Sequence, residues 1–265
     1  MGENSYTTLE VKQQASTLHV LLDRPDVRNA FDDTLIAELT QLLNSVAADE
    51  SIRVMTLSGK GSVFSAGADL NWMKKIAQYS HEENVEDARL FARMLELFYR
   101  LPKATIARVN GPCIGGGVGL VAVCDVAVSA NNADFALREI LLGIAPAVIS
   151  PYVLRKIGPQ QARDYFLTGR RFDAERAAVI GLVNEVVDPS RLDEAVARWE
   201  KRFLRAGPNA VAVTKQLINT VAWSSIRDAQ AYTAETIAKL RGSGEGQEGF
   251  AAFFEKRKPN WDAGD

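Results

Sequence analysis

The sequence predicts an α/β fold with a layered core. Short runs rich in β-branched residues suit strands, longer segments with one apolar face suit helices, and the two kinds alternate along the first 189 residues. Beyond that point only helical segments follow, with Gly and Pro at their joints. We therefore predict a core over residues 1–189 and a helical C-terminal part over residues 190–265.

Five strands are predicted in the first half of the chain: TLEVKQQ, TLHVLLD, IRVMTLSG, ATIARVNG and DVAVSA. Two helices with one buried face lie between them: DDTLIAELTQLLNSVAAD and NVEDARLFARMLELFYRLP. Asp32 or Asp33 is the predicted N-cap of the first helix, and Pro102 ends the second. The C-terminal helices are predicted in four segments: RLDEAVARWEKRFLRAG, PNAVAVTKQLINTVAW, SIRDAQAYTAETIAKLRG and EGQEGFAAFFEKRKP.

Composition and charge exclude several classes of function. The chain has 265 residues, 47% of them hydrophobic and 24% charged, which is typical of a soluble globular protein. A net charge of −2 argues against a general nucleic-acid binder. The sequence contains no run of 18 apolar residues, so no membrane span is predicted. Two cysteines form no disulfide framework, and MGENSYTTLEVKQQ lacks the apolar core of a signal peptide, so we expect a cytoplasmic protein.

Two glycine-bearing turns each follow a predicted strand and precede a predicted helix. They are FSAGADL, residues 64–70, and IGGGVGL, residues 114–120. Free N–H groups at such turns favour a developing negative charge, and two of them together would form an oxyanion hole. Tight turns with close packing are the alternative interpretation. Neither turn has the G-x-G-x-x-G spacing of a dinucleotide site or the lysine of a P-loop.

Glu139 is the candidate for proton transfer. It lies in DFALREILLGIAP among apolar neighbours at positions 137, 140, 141 and 142. Apolar surroundings would desolvate the carboxylate and raise its pKa into a range useful for general acid–base chemistry. The alternative is a surface position in a turn, or a structural pair with Arg138 or another arginine.

The two histidines, His19 and His81, give little support to a Ser-His-Asp site or a metal site, and we predict no bound metal. His19 lies in an alternating strand pattern and is interpreted as structural. His81 is interpreted as an exposed residue at the start of a helix. The acidic residues that follow it are predicted to be solvated: Glu82, Glu83, Glu86 and Asp87.

Several motifs in order resemble the enoyl-CoA hydratase/isomerase (crotonase) superfamily. They are RPDVRNAF, FSAGADL, GGGVGLVAVCD, REILLGIAPAVISP and EGFAAFFEKRKP, and they extend over essentially the whole chain. The resemblance implies a crotonase-type ββα spiral core and a C-terminal helical part that supports trimers, often paired into hexamers. It also implies an acyl-CoA substrate, so coenzyme A is part of the substrate and no separate cofactor is expected.

By position, the resemblance assigns the backbone N–H groups of Ala68 and Gly116 to the thioester oxygen. Glu139 matches one of the two glutamates that hydratases of this family commonly carry. The other falls on Gly119, where no carboxylate exists. A missing side chain at this position would leave room for a branched or bulky acyl group.

Four further residues are assigned to coenzyme A through the resemblance. Ala66 lies where the family's loop contacts the adenine, and Arg28 falls in a stretch that meets the phosphates. Lys256 falls in another such stretch and, with Phe253, is expected to reach a neighbouring subunit.

Three hypotheses about the function follow. The first is a hydro-lyase in which Glu139 activates water and returns a proton to the α-carbon. Subgroup resemblance in GGGVGLVAVCD, LGIAPAVISPYV and GQEGFAAFFEKRKPNW points to 3-branched glutaconyl-CoA esters of leucine or acyclic-terpene breakdown, such as 3-methylglutaconyl-CoA or isohexenylglutaconyl-CoA. The second is a double-bond isomerase that uses Glu139 alone. The third is an acyl-CoA-binding or protein-binding module without turnover.

Overall fold

A computed structural model describes residues 6–262 of the protein, and this part of the chain contains nine strands and ten α-helices. The strands are β1 (Leu9–Gln14), β2 (Thr17–Leu22), β3 (Val54–Gly59), β4 (Ala104–Val109), β5 (Cys113–Ile114), β6 (Val126–Ala130), β7 (Asp134–Ala136), β8 (Phe172–Asp173) and β9 (Glu185–Val187). The helices are α1 (Asp33–Ala48), α2 (Leu70–Ile76), α3 (His81–Tyr99), α4 (Gly116–Val123), α5 (Ser150–Thr168), α6 (Ala174–Val179), α7 (Leu192–Leu204), α8 (Pro208–Val221), α9 (Ile226–Gly242) and α10 (Gly244–Phe254).

The main sheet has six strands in the order β1-β2-β3-β4-β6-β9. β1 and β2 are antiparallel, and every later neighbour is parallel. The carboxyl ends of parallel strands share one edge of a sheet, so the turns that follow β3 and β4 lie side by side. A small second sheet has the order β5-β7-β8, and its first strand follows β4 closely in the chain.

Apolar side chains cover both faces of the main sheet, as parallel strands require. On one face, α1, α3, α4 and α5 contribute buried residues to the larger core. On the other, α7 packs Leu192, Ala195 and Val196 against residues of β3, β4 and β6. The first helix after position 189 therefore completes the core, while the division of the chain at that position stays a prediction.

The predicted α/β class is confirmed, and all five predicted strands and both early helices are present. Asp32 is the N-cap of α1, because its carboxylate accepts a hydrogen bond from the backbone N–H of Leu35. The second sheet and α5 were not predicted. Strands of two or three residues are too short to show alternation, and Gly158 and Pro159 interrupt the helical pattern of α5 with a kink.

Among the described residues, no helix is long and apolar enough to cross a membrane.

Candidate active site

The turn between β3 and α2 presents the N–H group of Ala68. The backbone of Phe31 holds the residues on both sides of Ala68. The N–H of Phe31 donates to Gly67 O at 2.7 Å, and the backbone oxygen of Phe31 accepts from Asp69 N at 2.8 Å. The Gly67 carbonyl and the Ala68 N–H belong to one trans peptide and point in opposite directions. The Ala68 N–H therefore points away from Phe31, and no acceptor for it is found within residues 6–262.

The second turn presents the N–H group of Gly116. Gly115 has φ +55°, a conformation that favours glycine, and its N–H donates to Ala136 O at 2.8 Å. Gly116 is the first residue of α4, and its N–H has no acceptor in the described part of the chain. A helix N-terminus with a free N–H group stabilises a nearby negative charge.

The two turns are in direct contact. Ile114 N donates to Ser65 O at 2.9 Å, which joins the segments just before each turn. A Cβ atom built on Gly67 would lie 3.1 Å from the oxygen of Ile114, and one on Gly115 would lie 3.9 Å from Gly67 Cα. Both residues also have a positive φ, +87° at Gly67 and +55° at Gly115, which favours glycine at these two positions. Two N–H groups that lack an acceptor within residues 6–262 therefore lie on adjoining turns, which is what the predicted oxyanion hole requires.

The Glu139 carboxylate lies against the second turn. Its Oε1 atom is 3.0 Å from the position that a Cβ atom on Gly115 would take. Its Oε2 atom is buried and has no hydrogen-bond partner in the part of the chain that the structure describes. Burial raises the pKa of Glu139 above its ordinary value, as the sequence predicted. A desolvated carboxylate with a free oxygen is suited to accept and return a proton.

The cause of this burial differs from the expected one. Ile140, Leu141 and Leu142 are 38%, 57% and 61% exposed, so the apolar residues that follow Glu139 in the chain do not shield it. A short 3-10 helix over Glu139–Leu142 directs these side chains to the surface, while the carboxylate of Glu139 lies against the glycine turn.

The space beside Gly119 is filled. This corrects the expectation that the missing side chain leaves room there for a bulky acyl group. A Cβ atom on Gly119 would lie 2.3 Å from Ile149 Cγ2 and 3.0 Å from Ile149 Cβ. Ile149 is 2% exposed. An apolar side chain therefore lies next to the position at which the resemblance implies a second glutamate in hydratases, and a carboxylate at position 119 would clash with it.

Comparison with known proteins decides the family. The profile of the Enoyl-CoA hydratase/isomerase family matches residues 12–264. The chain belongs to this family. A crystal structure of an enoyl-CoA hydratase from Shewanella pealeana superimposes with a TM-score of 0.94 at 38% identity, covering 98% of this chain and 97% of that one. The α/β fold is therefore the crotonase-type fold that the resemblance implied.

Two relatives are named for defined hydratase activities. The 2,3-dehydroadipyl-CoA hydratase of Escherichia coli is 33% identical, covering 96% of this chain and 98% of that protein. The crotonyl-CoA hydratase of Syntrophomonas wolfei is 32% identical, covering 96% of each chain. The protein is accordingly an enzyme of the enoyl-CoA hydratase type, a lyase.

The residues that the family resemblance assigns to coenzyme A fall into two groups. Ala66 N donates to Arg28 O at 2.9 Å, so these two lie together beside the first turn. Phe253 is the penultimate residue of α10, and Lys256 follows the helix. Phe253 is 77% exposed, and no hydrogen bond or ring contact within residues 6–262 links either residue to the other assigned positions. Their role toward coenzyme A stays a prediction.

The sequence reasoning missed a carboxylate that supports the first turn. Asp69 is 5% exposed and accepts hydrogen bonds from the N–H groups of Asn71 and Trp72 at the start of α2. Burial alone would raise the pKa of Asp69. The two N–H donors and the Arg24 guanidinium outweigh burial, so its pKa lies below the ordinary value. The available signal was the Asp directly before a helix start in FSAGADL.

Asp87 is not the solvated residue that was predicted. Trp72 Nε1 donates to its carboxylate at 3.3 Å and so connects α2 with α3. Asp87 is half-buried, and burial raises its pKa.

Within residues 6–262, no group of three or more His, Cys, Asp or Glu side chains is arranged to hold a metal ion. His19 Nδ1 lies 3.6 Å from Glu200, and His81 is an exposed first residue of α3.

Proposed function

We propose that the protein adds water to the double bond of a 3-branched enoyl-CoA thioester, with 3-methylglutaconyl-CoA or isohexenylglutaconyl-CoA as the substrate type. The observation that carries the reaction is the Glu139 carboxylate, which has a buried oxygen, unpartnered in the described chain, next to the Gly115–Gly116 turn. The choice of a 3-branched substrate rests on the subgroup resemblance of the sequence.

The proposed mechanism starts with the thioester oxygen between the N–H groups of Ala68 and Gly116. Glu139 accepts a proton from a water molecule whose oxygen bonds to C3 of the acyl group. Negative charge moves to the thioester oxygen, where the two donors stabilise the enolate more than the ground state. Protonated Glu139 then donates this proton to C2. Syn addition places both transfers on one face, so one carboxyl serves each in turn.

The absence of a carboxylate at Gly119 supports the assignment of both proton transfers to Glu139. Ile149 occupies the space next to that position and has no group that can transfer a proton. Ile149 would also exclude bulk water from this side of the acyl group, which strengthens the electrostatic effect of the two donors.

A panel of thioesters tests the proposal. Purified protein is given 3-methylglutaconyl-CoA, isohexenylglutaconyl-CoA, crotonyl-CoA and 2,3-dehydroadipyl-CoA, and the loss of conjugated-enoyl absorbance is followed with each. We expect the highest kcat/KM with a 3-branched ester and a 3-hydroxyacyl product by mass. A clear preference for an unbranched ester would contradict the proposed substrate class and leave hydration in place.

The same filled space at Gly119 favours one alternative reaction. A lone Glu139 could carry a proton between two carbons of a β,γ-enoyl thioester and return an α,β-enoyl product. This isomerase would form no bond to water. Migration of the double bond without a hydroxyacyl product would establish it, and acyl-CoA binding with no turnover of any ester would indicate a binding module instead.

Assembly, pathway and location are further parts of the proposal. Large apolar side chains of the C-terminal helices and their connections are exposed in the single chain, among them Trp223 at 68%, Ile226 at 95% and Phe254 at 75%. Contacts with other subunits would cover them, which supports the homotrimer or hexamer that the resemblance implies. Sedimentation of the purified protein would measure this. Leucine or acyclic-terpene catabolism in the cytoplasm is the matching context.

A further inference from the structure

An ion-pair network lies directly behind the turn that carries Ala68. Arg24 Nη2 is 2.7 Å from Asp32 Oδ2 and 3.0 Å from Asp69 Oδ2. Arg24 Nη1 donates to the backbone oxygen of Ala30. The side chains of Arg24, Asp32 and Asp69 are only 17%, 19% and 6% exposed. Little water screens these charges, so the attraction between the guanidinium and each carboxylate is stronger than it would be at the surface.

Both carboxylates are helix caps. Asp32 accepts from Leu35 N at 2.8 Å at the start of α1, and Asp69 accepts from Asn71 N at 2.7 Å at the start of α2. One guanidinium therefore links the N-termini of two helices. Since Asp69 directly follows Ala68 in the chain, the position of this carboxylate also fixes one end of the turn that carries Ala68.

We propose that Arg24 is a positioning residue for the Ala68 oxyanion donor. Without the guanidinium, the carboxylates of Asp32 and Asp69 would face each other with no charge between them. A shift of the segment that carries Asp69 would relieve this repulsion and move the Ala68 N–H with it. Misplacement of such a donor by about 1 Å costs turnover rather than affinity for the bulk of the acyl-CoA.

This inference rests on the proposed function, because it takes Ala68 as a donor to the thioester oxygen. The experiment therefore measures polarisation of the thioester carbonyl as well as turnover. The probe is 4-dimethylaminocinnamoyl-CoA, a chromophore whose absorption moves to longer wavelength when its carbonyl is polarised. Its red shift on binding reports the oxyanion donors whether or not the protein hydrates any substrate.

Three variants are compared with the unchanged protein. Arg24→Gln removes the charge, and Arg24→Lys keeps it but cannot reproduce the fork that reaches three acceptors. Arg108→Gln is the matched control. Arg108 is also a partly buried arginine, 26% exposed and 2.7 Å from Asp193. Its side chain connects β4 to Asp193 of α7 and to Ser58 of β3, and it has no hydrogen bond or ion pair with Arg24, Asp32 or Asp69 within residues 6–262.

We expect Arg24→Gln to lower kcat by about 10- to 100-fold, with KM changed less than about threefold, and to reduce the red shift of the bound probe. Arg24→Lys should fall between this variant and the unchanged protein in both readouts. Arg108→Gln should keep the full red shift and kcat, although it also loses an ion pair.

The outcomes separate the inference from the function on which it rests. If the unchanged protein binds the probe without a red shift, the oxyanion role of Ala68 fails and this inference falls with it. If the unchanged protein shifts the probe and folded Arg24→Gln keeps the full shift and kcat, the inference alone is overturned. Should Arg24→Gln not fold, Arg24→Lys decides: a reduced shift in a folded protein supports the positioning role, and an undiminished shift contradicts it.

Discussion

Asp69 and Glu139 both lie beside a turn that presents an N–H group without an acceptor in the described chain, but their surroundings are opposite. Asp69 accepts two backbone hydrogen bonds, contacts Arg24, and has a pKa below its ordinary value. Glu139 has a buried oxygen without a partner among residues 6–262, and burial raises its pKa. A carboxylate saturated with donors stays ionised and holds the turn in place, whereas one that lacks donors can take up a proton.

Loss of the Glu139 carboxylate should have the strongest effect. Replacing Glu139 with Gln removes the proton acceptor and should lower kcat for hydration at least about a hundredfold, or about 2.7 kcal/mol of transition-state stabilisation. The measurement is steady-state turnover of a 3-branched enoyl-CoA. Glu200→Gln is the control, because Glu200 is also shielded, 15% exposed, but bonds to Thr56 away from the site. Near-normal turnover by Glu139→Gln would refute the acid–base role.

Replacing Asp69 with Asn tests the ionised member of the two carboxylates compared above, Asp69 and Glu139. The amide can still cap α2 but cannot pair with Arg24, so we expect a loss of about 2 kcal/mol in the free energy of unfolding at pH 7. The pKa of Asp69 is lower in the folded protein than its value of 3.8 in the unfolded chain. The stabilisation is therefore fully present at pH values above 3.8 and is lost as the pH falls through the folded-state pKa. Urea unfolding at pH 7 and at pH 3 measures the difference. An equal loss at both pH values would show that charge is not its source.

Adding a methyl group at Gly119 tests the filled space beside this glycine. Gly119→Ala forces its Cβ atom against Ile149 and should destabilise the fold by about 1.5 kcal/mol. In the double variant with Ile149→Ala, the 2.3 Å contact with Cγ2 is removed and only the looser contact with Cβ remains. The loss in the double variant should therefore be smaller than the sum of the two single losses by about 1 kcal/mol. Additive losses in urea unfolding would mean that the two positions do not share this space.

The weakest effect should be a gain of stability at the reactive carboxylate. Glu139 has a folded-state pKa above the unfolded value of 4.5, so its ionised form costs stability at neutral pH. Glu139→Gln should therefore raise Tm at pH 7 by about 2 to 4 °C, which corresponds to about 1 kcal/mol in a chain of this size. The gain should shrink as pH falls through the raised pKa. A lower Tm than the unchanged protein at pH 7 would contradict this cost.

The sequence predicted the fold class, the early strands and helices and the two glycine turns, because these depend on local periodicity and glycine spacing. It placed Glu139 in a buried setting for a partly wrong reason, since Leu137 before it is buried but the three apolar residues after it are exposed. Ile149 lies 30 positions from Gly119, and Arg24 lies 45 positions from Asp69. Contacts over such separations depend on the tertiary fold and leave no periodic pattern in one sequence.

Isotope incorporation is the decisive measurement for hydration by Glu139. It follows the water oxygen that bonds to C3 and the proton that Glu139 transfers to C2. The protein converts 3-methylglutaconyl-CoA in deuterated water enriched in oxygen-18, and the product is analysed by mass spectrometry. We expect one oxygen-18 at C3 and one carbon-bound deuterium at C2, formed at least about a hundredfold more slowly by Glu139→Gln. A product with deuterium on carbon but no oxygen-18 would contradict hydration and establish proton transfer between carbons instead.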